Sequence, residues 1–303
     1  MTSMRSKTKK GDIQELIRSR SKKINDPAGR KTMILTDGHA AEIAERTGAT
    51  VHDIYAAALN LGICPYRYLR NRETISEKDQ LKLANSCVAV VGAGGLGGHV
   101  ILLLARLGVG HIVVVDHDRF DETNLNRQAL CTGEALGRSK SEEAVAVVGA
   151  INPGVRVTAH HLRIDSSNAG EVLDSSNVIV DALDTISDRF IIEDASRSLG
   201  IPLVHGALAG LEGQVMTIFP EDPGLTRLYG HHEAGGVRSA SDRSQSPEAV
   251  LGVPALTPAF IATLQAMEVI KIILKRGKLL QNVMLHVDLE TGDMCPFTFS
   301  DTD

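Results

Sequence analysis

Gly92, Gly94 and Gly97 stand in a G-x-G-x-x-G spacing between the apolar run Val88–Val91 and a second apolar segment beginning near His99. A strand that feeds a glycine turn and opens a helix leaves backbone N–H groups pointing outward together, a geometry suited to receiving phosphate. Gly95 and Gly98 permit still closer approach, and Leu96 lies inside the same turn. Asp116 and Asp118 follow the glycines by roughly 20 residues, where a carboxylate can accept hydrogen bonds from ribose hydroxyls. By itself this is a dinucleotide fingerprint, and it leaves NAD and ATP both open.

Positive charge downstream separates the two nucleotides. ATP carries about four negative charges near neutral pH, whereas the pyrophosphate of NAD carries about two. The stretch "DHDRFDETNLNRQ" supplies Asn124, Arg127 and Gln128 just past the second strand, and "LGRSKSEEA" supplies Lys140 at the expected start of a helix. In "DALDTISDRF", Asp181 and Asp184 follow another buried strand, and Arg189 adds a cation five residues further on. One of those carboxylates is suited to holding Mg²⁺ on phosphates. Taken singly, Arg127 or Lys140 reads as a solvated surface cation and Asp184 as a helix cap. Their recurrence at the ends of successive strands favours ATP with Mg²⁺, since hydride transfer has little use for such a set.

The elements that must position these residues follow from periodicity. Strands are expected near 87–91, 111–116, 155–159, 177–181 and 202–206, with helices between them. That alternation implies an α/β, Rossmann-like, mainly parallel sheet with helices on both faces. From Gly213 the rhythm changes to "GQVMTIF", then to a polar, loop-like stretch from Glu221 to Val250. The apolar helix "ALTPAFIATLQAMEVIKIIL" follows, with strands near 283–289 and 294–299. A structureless segment of about 30 residues inside a compact domain is commonly functional.

Ahead of the sheet, "DGHAAEIAERTGATVHDIYAAALNLG" places Ile43, Ala44, Ile54 and Ala57 at helical spacing on either side of Thr47 and Gly48, as in a helix-turn-helix. Its second helix, Val51–Leu61, has no Lys or Arg, so DNA reading is disfavoured and packing or docking is the expected role. Residues 1–31 hold ten Lys or Arg against three Asp or Glu and read as a solvated basic arm. The expected division is therefore a basic tail and helical module over 1–65, then a large domain over 66–303. Ser76 is placed to cap a short helix running to about Asn85.

With 43% hydrophobic and 23% charged residues and a net charge of −5, the composition is that of an ordinary globular chain. The run His99–Val115 is broken by Arg106, Gly108 and Gly110 and is too short to cross a bilayer. No apolar segment follows the basic N-terminus as a secretory signal requires, so no membrane partner is expected and the cytosol is the expected compartment. Aromatics make up 3% with no Trp, which disfavours stacking on single-stranded nucleic acid. Cys64, Cys87, Cys131 and Cys295 form no C-x-x-C pair, which argues against structural zinc and a disulfide framework.

Taken in order, "GAGGLGG", "DHDRFDETNLNRQ", "LGRSK", "DALDT", "HGALAGLEGQV" and "LQAMEVIKIIL" resemble the ThiF/MoeB/HesA adenylyltransferases, relatives of the ubiquitin-activating enzymes, over roughly residues 66–292. The resemblance implies adenylation of the C-terminal glycine of a ubiquitin-like sulfur-carrier protein ending in Gly-Gly, with release of pyrophosphate, for sulfur transfer in cofactor biosynthesis. It gives Gly92, Gly94, Gly95, Leu96 and Gly97 to the phosphates, Asp116 to the ribose with Asp118 beside it, and Asp184 to Mg²⁺. Asn124, Arg127, Gln128 and Lys140 then complete the ATP site. "RYLRN" looks like the family's R-Y-x-R-Q, whose second arginine, here Arg70, reaches the ATP of a neighbouring subunit, and so implies a homodimer. Asn71 and Thr185 replace the commoner Gln and Asn. The zinc-binding C-x-x-C pairs and the mobile-loop cysteine of some members are absent, so neither zinc nor covalent capture in that loop is expected. Cys131 reads as a small hydrophobe, and the adjacent His231, His232 and Glu233 as solvated loop residues. The competing readings are an NAD-dependent oxidoreductase and a non-catalytic nucleotide-binding regulator.

Overall fold

The computed structural model describes residues 12–230 and 246–299. Contacts divide the chain into two compact units: residues 1–86 with 105–111 and 149–156, and residues 87–104, 112–148 and 157–303.

In the first unit, order begins earlier than a solvated arm implies. Residues 12–20 are helical, and strands β1 (Lys22–Asn25) and β2 (Lys31–Leu35) pair as an antiparallel hairpin. Two causes override the basic charge, one tertiary and one local. Ile17 is fully buried in a core with Ile34, Leu35, Ile43, Ile54 and Tyr55, and Asn25–Arg30 encode a turn. In that turn the Asp26 carboxylate accepts from the N–H groups of Ala28 and Arg30, and Gly29 supplies a φ of 79°. The expected helix pair is present as Asp37–Thr47 and Val51–Asn60, joined through Gly48 at a φ of 68°. Thr50 and Asp53 close a capping box on the second helix. The short strand β3 (Cys64–Pro65) lies parallel to β2. Ser76 caps the helix Glu77–Ala84. Arg67 ties the unit together, since its guanidinium pairs with Asp37 and donates to the Ile151 carbonyl at 2.7 Å, while the Tyr55 hydroxyl donates to Asp37 at 2.6 Å.

The second unit is built on an eight-stranded sheet in the order β11-β10-β9-β8-β7-β4-β5-β6, with β4 at Cys87–Val91, β5 at His111–Val115, β6 at Arg156–His160 and β7 at Val178–Asp181. β8 (Leu203–Ala209) continues the parallel set beside β7, and β9 (Glu212–Ile218), β10 (Val283–Asp288) and β11 (Asp293–Thr298) extend it antiparallel. The Val-rich β4, β5 and β7 are buried almost throughout, as strands covered on both faces must be. The stretch Glu221–Val250, expected as a loop, holds short helices at Thr226–Tyr229 and Pro247–Leu251 within its described parts. The helix Leu256–Leu274 is the chain's one described segment long and apolar enough to cross a membrane, in place of His99–Val115. It packs on β7, β8 and β9 instead, with Gln265 donating to the Asp181 and Val204 carbonyls and Glu268 accepting from the Thr217 hydroxyl.

The glycine turn follows β4 and opens the helix Gly95–Leu107. Gly92 has a φ of 93°, and a Cβ there would lie 2.5 Å from the Ala182 carbonyl oxygen. A Cβ at Gly97 would lie 1.8 Å from the Gly92 oxygen, so no side chain fits without moving the turn. Gly97→Ala is accordingly expected to cost about 1–3 kcal/mol, read as a lower urea midpoint, and to weaken nucleotide binding. In the first unit, the hydrogen bond from Arg67 holds the Asp37 carboxyl below its ordinary value of 3.8, against burial and with help from Tyr55. Because the folded value is the lower one, this stabilisation is present above about pH 4 and fades as pH falls through the folded value. Asp37→Asn is expected to reduce stability near neutrality and to flatten the acid limb of a urea-melt series.

Candidate active site

Strand register sets the floor of the site. Val91 pairs with Asp181 across β4 and β7, so the two strands end side by side. The chain departs from β4 toward β5 and β6 and later returns to β7 and β8 on the other side of β4. A crevice necessarily opens at such a reversal, beyond the carboxyl ends of the strands. One cavity occupies it, and its wall brings together Gly92, Gly94, Gly95, Leu96, Asp116, Asp118, Arg127, Gln128, Lys140 and Asp184.

Asp116 is half-buried at the end of β5, where Oδ2 accepts from the Ala93 N–H at 2.7 Å and Oδ1 from the Asp118 N–H at 2.8 Å. The carboxylate thus braces the glycine turn and keeps lone pairs free for hydroxyl donors. Lys140 starts the helix Lys140–Ile151 and is 7% exposed, with Nζ donating to Asp118 Oδ2 at 2.9 Å. Burial pushes the Asp118 carboxyl up, yet the hydrogen bond and charge of Lys140, with His117 and His161, bring it below its usual value. Arg127 is held along one edge of its guanidinium, with Nη1 donating to the Thr123 carbonyl at 2.7 Å and to Asn126 Oδ1 at 2.9 Å. Gln128 is 7% exposed, and its buried Oε1 has no hydrogen-bond partner. An orphaned acceptor on a cavity wall is a position for a ligand donor. Asp184 is exposed just ahead of the helix Ile186–Leu199, where Thr185 takes the N-cap position and its buried hydroxyl is also unpaired.

Three expected residues stand elsewhere. Asn124 is buried, but its Oδ1 accepts from the Asp121 N–H at 3.0 Å and so caps the short helix Glu122–Asn124 rather than facing the cavity. Gly97 packs beneath the turn. Arg70 is exposed on the 3-10 helix Tyr66–Asn71 of the first unit. His231, His232 and Glu233 lie outside the described residues. Cys131 is half-buried with Sγ 4.0 Å from the Asp121 carbonyl, and burial pushes its thiol up, away from nucleophile chemistry.

Arg163 was missed. It follows β6, and its Nη2 lies 3.1 Å from each Asp188 carboxylate oxygen on the cavity wall. The signal that could have found it is its place three residues beyond the end of β6, a cation just past a strand end. Arg163 and Arg189 join Arg127 and Lys140 as lining cations, against the carboxylates Asp116, Asp118, Asp184, Asp188 and Glu248. Carboxylates outnumber cations, so the wall suits polyphosphate that arrives with a divalent cation better than bare phosphate.

The ThiF family model matches residues 68–302. The SAMP-activating enzyme E1 of Haloferax volcanii is 38% identical over 225 residues, covering 73% of this chain and 80% of that protein. The sulfur carrier protein adenylyltransferase of Thermus thermophilus is 38% identical over 220 residues, 71% of this chain and 79% of that one. Against the adenylyltransferase and sulfurtransferase MOCS3 of Culex quinquefasciatus identity is 36%, and this chain spans about half the relative's length, 48%. The crystal structure of Escherichia coli MccB with ATP superposes with a TM-score of 0.64 over 77% of this chain and 70% of that one. At 22% identity, that likeness speaks for the fold. With most of its length under the family model and these relatives beside it, the chain belongs to the ThiF family.

Proposed function

We propose that the protein adenylates the C-terminal glycine carboxylate of a ubiquitin-like sulfur-carrier protein, consuming ATP and releasing pyrophosphate, in the cytosol and in support of sulfur transfer for cofactor biosynthesis. The observation that carries this reading is the convergence of Arg127, Lys140 and Asp184 with the glycine turn on one cavity. The names of the Haloferax and Thermus relatives, an activating enzyme for SAMP and an adenylyltransferase for a sulfur carrier, support it.

The triphosphate lies against the N–H groups of the glycine turn, and Asp116 receives the ribose hydroxyls. The carrier carboxylate attacks the α-phosphorus in line, an acyl-phosphate bond forms, and the bond to the β-phosphate oxygen breaks with its electrons leaving on pyrophosphate. Lys140 and Arg127 stabilise that departing charge. Asp184 would hold Mg²⁺, which when bound neutralises phosphate charge; the carboxylate surplus on the wall and the exposure of Asp184 fit that role. A second cavity adjoins the first and shares Asp184, Arg189, Ala207, Leu208 and Glu248 with it. Its small residues Ala207, Ala209 and Gly213 leave room for a narrow glycine tail. Arg70 of a neighbouring copy completes the phosphate site in a homodimer. No step uses a thiol or a structural zinc.

ATP–pyrophosphate exchange is expected only with a carrier that ends in Gly-Gly. Absence of exchange with every such candidate, in folded protein that binds ATP, defeats the proposal. Asp184→Ala is expected to abolish exchange with the far-ultraviolet circular dichroism unchanged, and Lys140→Ala to slow it about 10²–10³-fold. Mixed in equal amounts and allowed to exchange subunits, inactive Arg70→Ala and Asp184→Ala proteins are expected to regain about a quarter of wild-type activity, because each mixed dimer holds one intact site. No recovery removes Arg70 from the neighbouring site.

A further inference from the structure

Behind Asp184 lies a closed ring of hydrogen bonds. Asp181 and His205 pair in the β7–β8 register, and both are fully buried. His205 Nδ1 is 2.6 Å from Asp181 Oδ2, and its Nε2 is 3.2 Å from the Tyr229 hydroxyl. Tyr229 also accepts from Arg189 Nη1 at 2.7 Å and from Gln214 Nε2 at 3.1 Å. Arg189 is 4% exposed and donates to the Leu183 carbonyl through Nε at 3.1 Å and Nη2 at 2.6 Å. The ring closes where the Leu183 N–H donates to Asp181 Oδ1 at 3.0 Å.

One proton arrangement satisfies every member. Ionised Asp181 accepts from His205 Nδ1–H, which leaves the Nε2 lone pair to accept the Tyr229 proton, and the tyrosine oxygen then accepts from Arg189 and Gln214. Burial favours the neutral imidazole this requires, as does Arg189 nearby, with Asp181 pulling the other way. Burying a guanidinium and a carboxylate 3.8 Å apart is expensive, and well-packed apolar groups usually serve stability as well. What the ring holds is specific: both sides of Leu183, the N–H by Asp181 and the carbonyl by Arg189, and so the backbone that presents Asp184.

We propose that Tyr229 and His205 are positioning residues for the Asp184 carboxylate, acting through Arg189 and the Leu183 carbonyl. The inference rests on the reading of Asp184 as the residue that holds Mg²⁺ beside ATP. Tyr229 follows Asp184 by 45 positions and has no motif of its own, so only the tertiary contacts connect them.

The test is calorimetric titration of the full chain with ATP, carrier omitted, once with Mg²⁺ and once with EDTA, the ratio of affinities giving the metal-dependent gain. Asp184→Asn is expected to erase the gain. Tyr229→Phe, which keeps the ring and loses the hydroxyl, is expected to reduce the gain about tenfold, the order of one hydrogen bond to a charged group, with the EDTA affinity unchanged. His205→Leu is expected to behave like Tyr229→Phe. His205→Gln is expected to retain the gain, since its amide can donate to Asp181 while its oxygen accepts from Tyr229. A full gain in Tyr229→Phe, or an equal loss with and without metal, overturns the proposal in favour of plain packing. If Tyr229→Phe does not fold, the His205 pair decides: equal behaviour of His205→Leu and His205→Gln overturns it. A full gain in Asp184→Asn instead defeats the reading of Asp184 itself, and the inference with it.

Discussion

Val91 and Asp181 end β4 and β7 side by side, and His205 stands next to Asp181 within β8, all three held in register by parallel ladders. Everything at the site descends from that alignment. With Val91 beside Asp181, the turn after β4 must pass over the backbone after β7, and only glycine tolerates the closeness at position 92. The Gly92 N–H finds the Val115 carbonyl at 2.8 Å, which ties the turn to β5 and sets Asp116 where it can accept from Ala93. The places of the glycine turn, of Asp116 and of the Asp184 backbone are therefore consequences of one crossover in the strand order.

Electrostatics supplies the second layer. Three of the cavity cations are engaged within the protein, Lys140 by Asp118, Arg163 by Asp188 and Arg189 by Asp181. Such pairs hold long side chains in place before a ligand arrives, which lowers the ordering cost when charge develops in the reaction. Arg127 is braced by the Thr123 carbonyl and the Asn126 side chain.

The local parts of this site were legible in the residues. The G-x-G-x-x-G spacing, the Val-rich strands, Lys140 at a helix start and Ser76 as a cap all depend on neighbours within a few positions, and each stands where periodicity placed it. The hairpin at Lys22–Leu35 was also written locally, in the turn around Asp26 and Gly29, but ten basic residues in the first 31 masked it. Burial of Ile17 outweighs charge that can stay on the surface.

What spacing determined was local: a glycine turn that opens a helix, acids at strand ends and cations near them. What tertiary structure alone decided was company. The pairing of Asp181 with His205, the arrival of Tyr229 at Arg189 and the place of Arg163 on the wall arise from register and from packing between distant segments. A one-residue shift in a strand sends a side chain to the opposite face of the sheet, and no local pattern records which partner waits there.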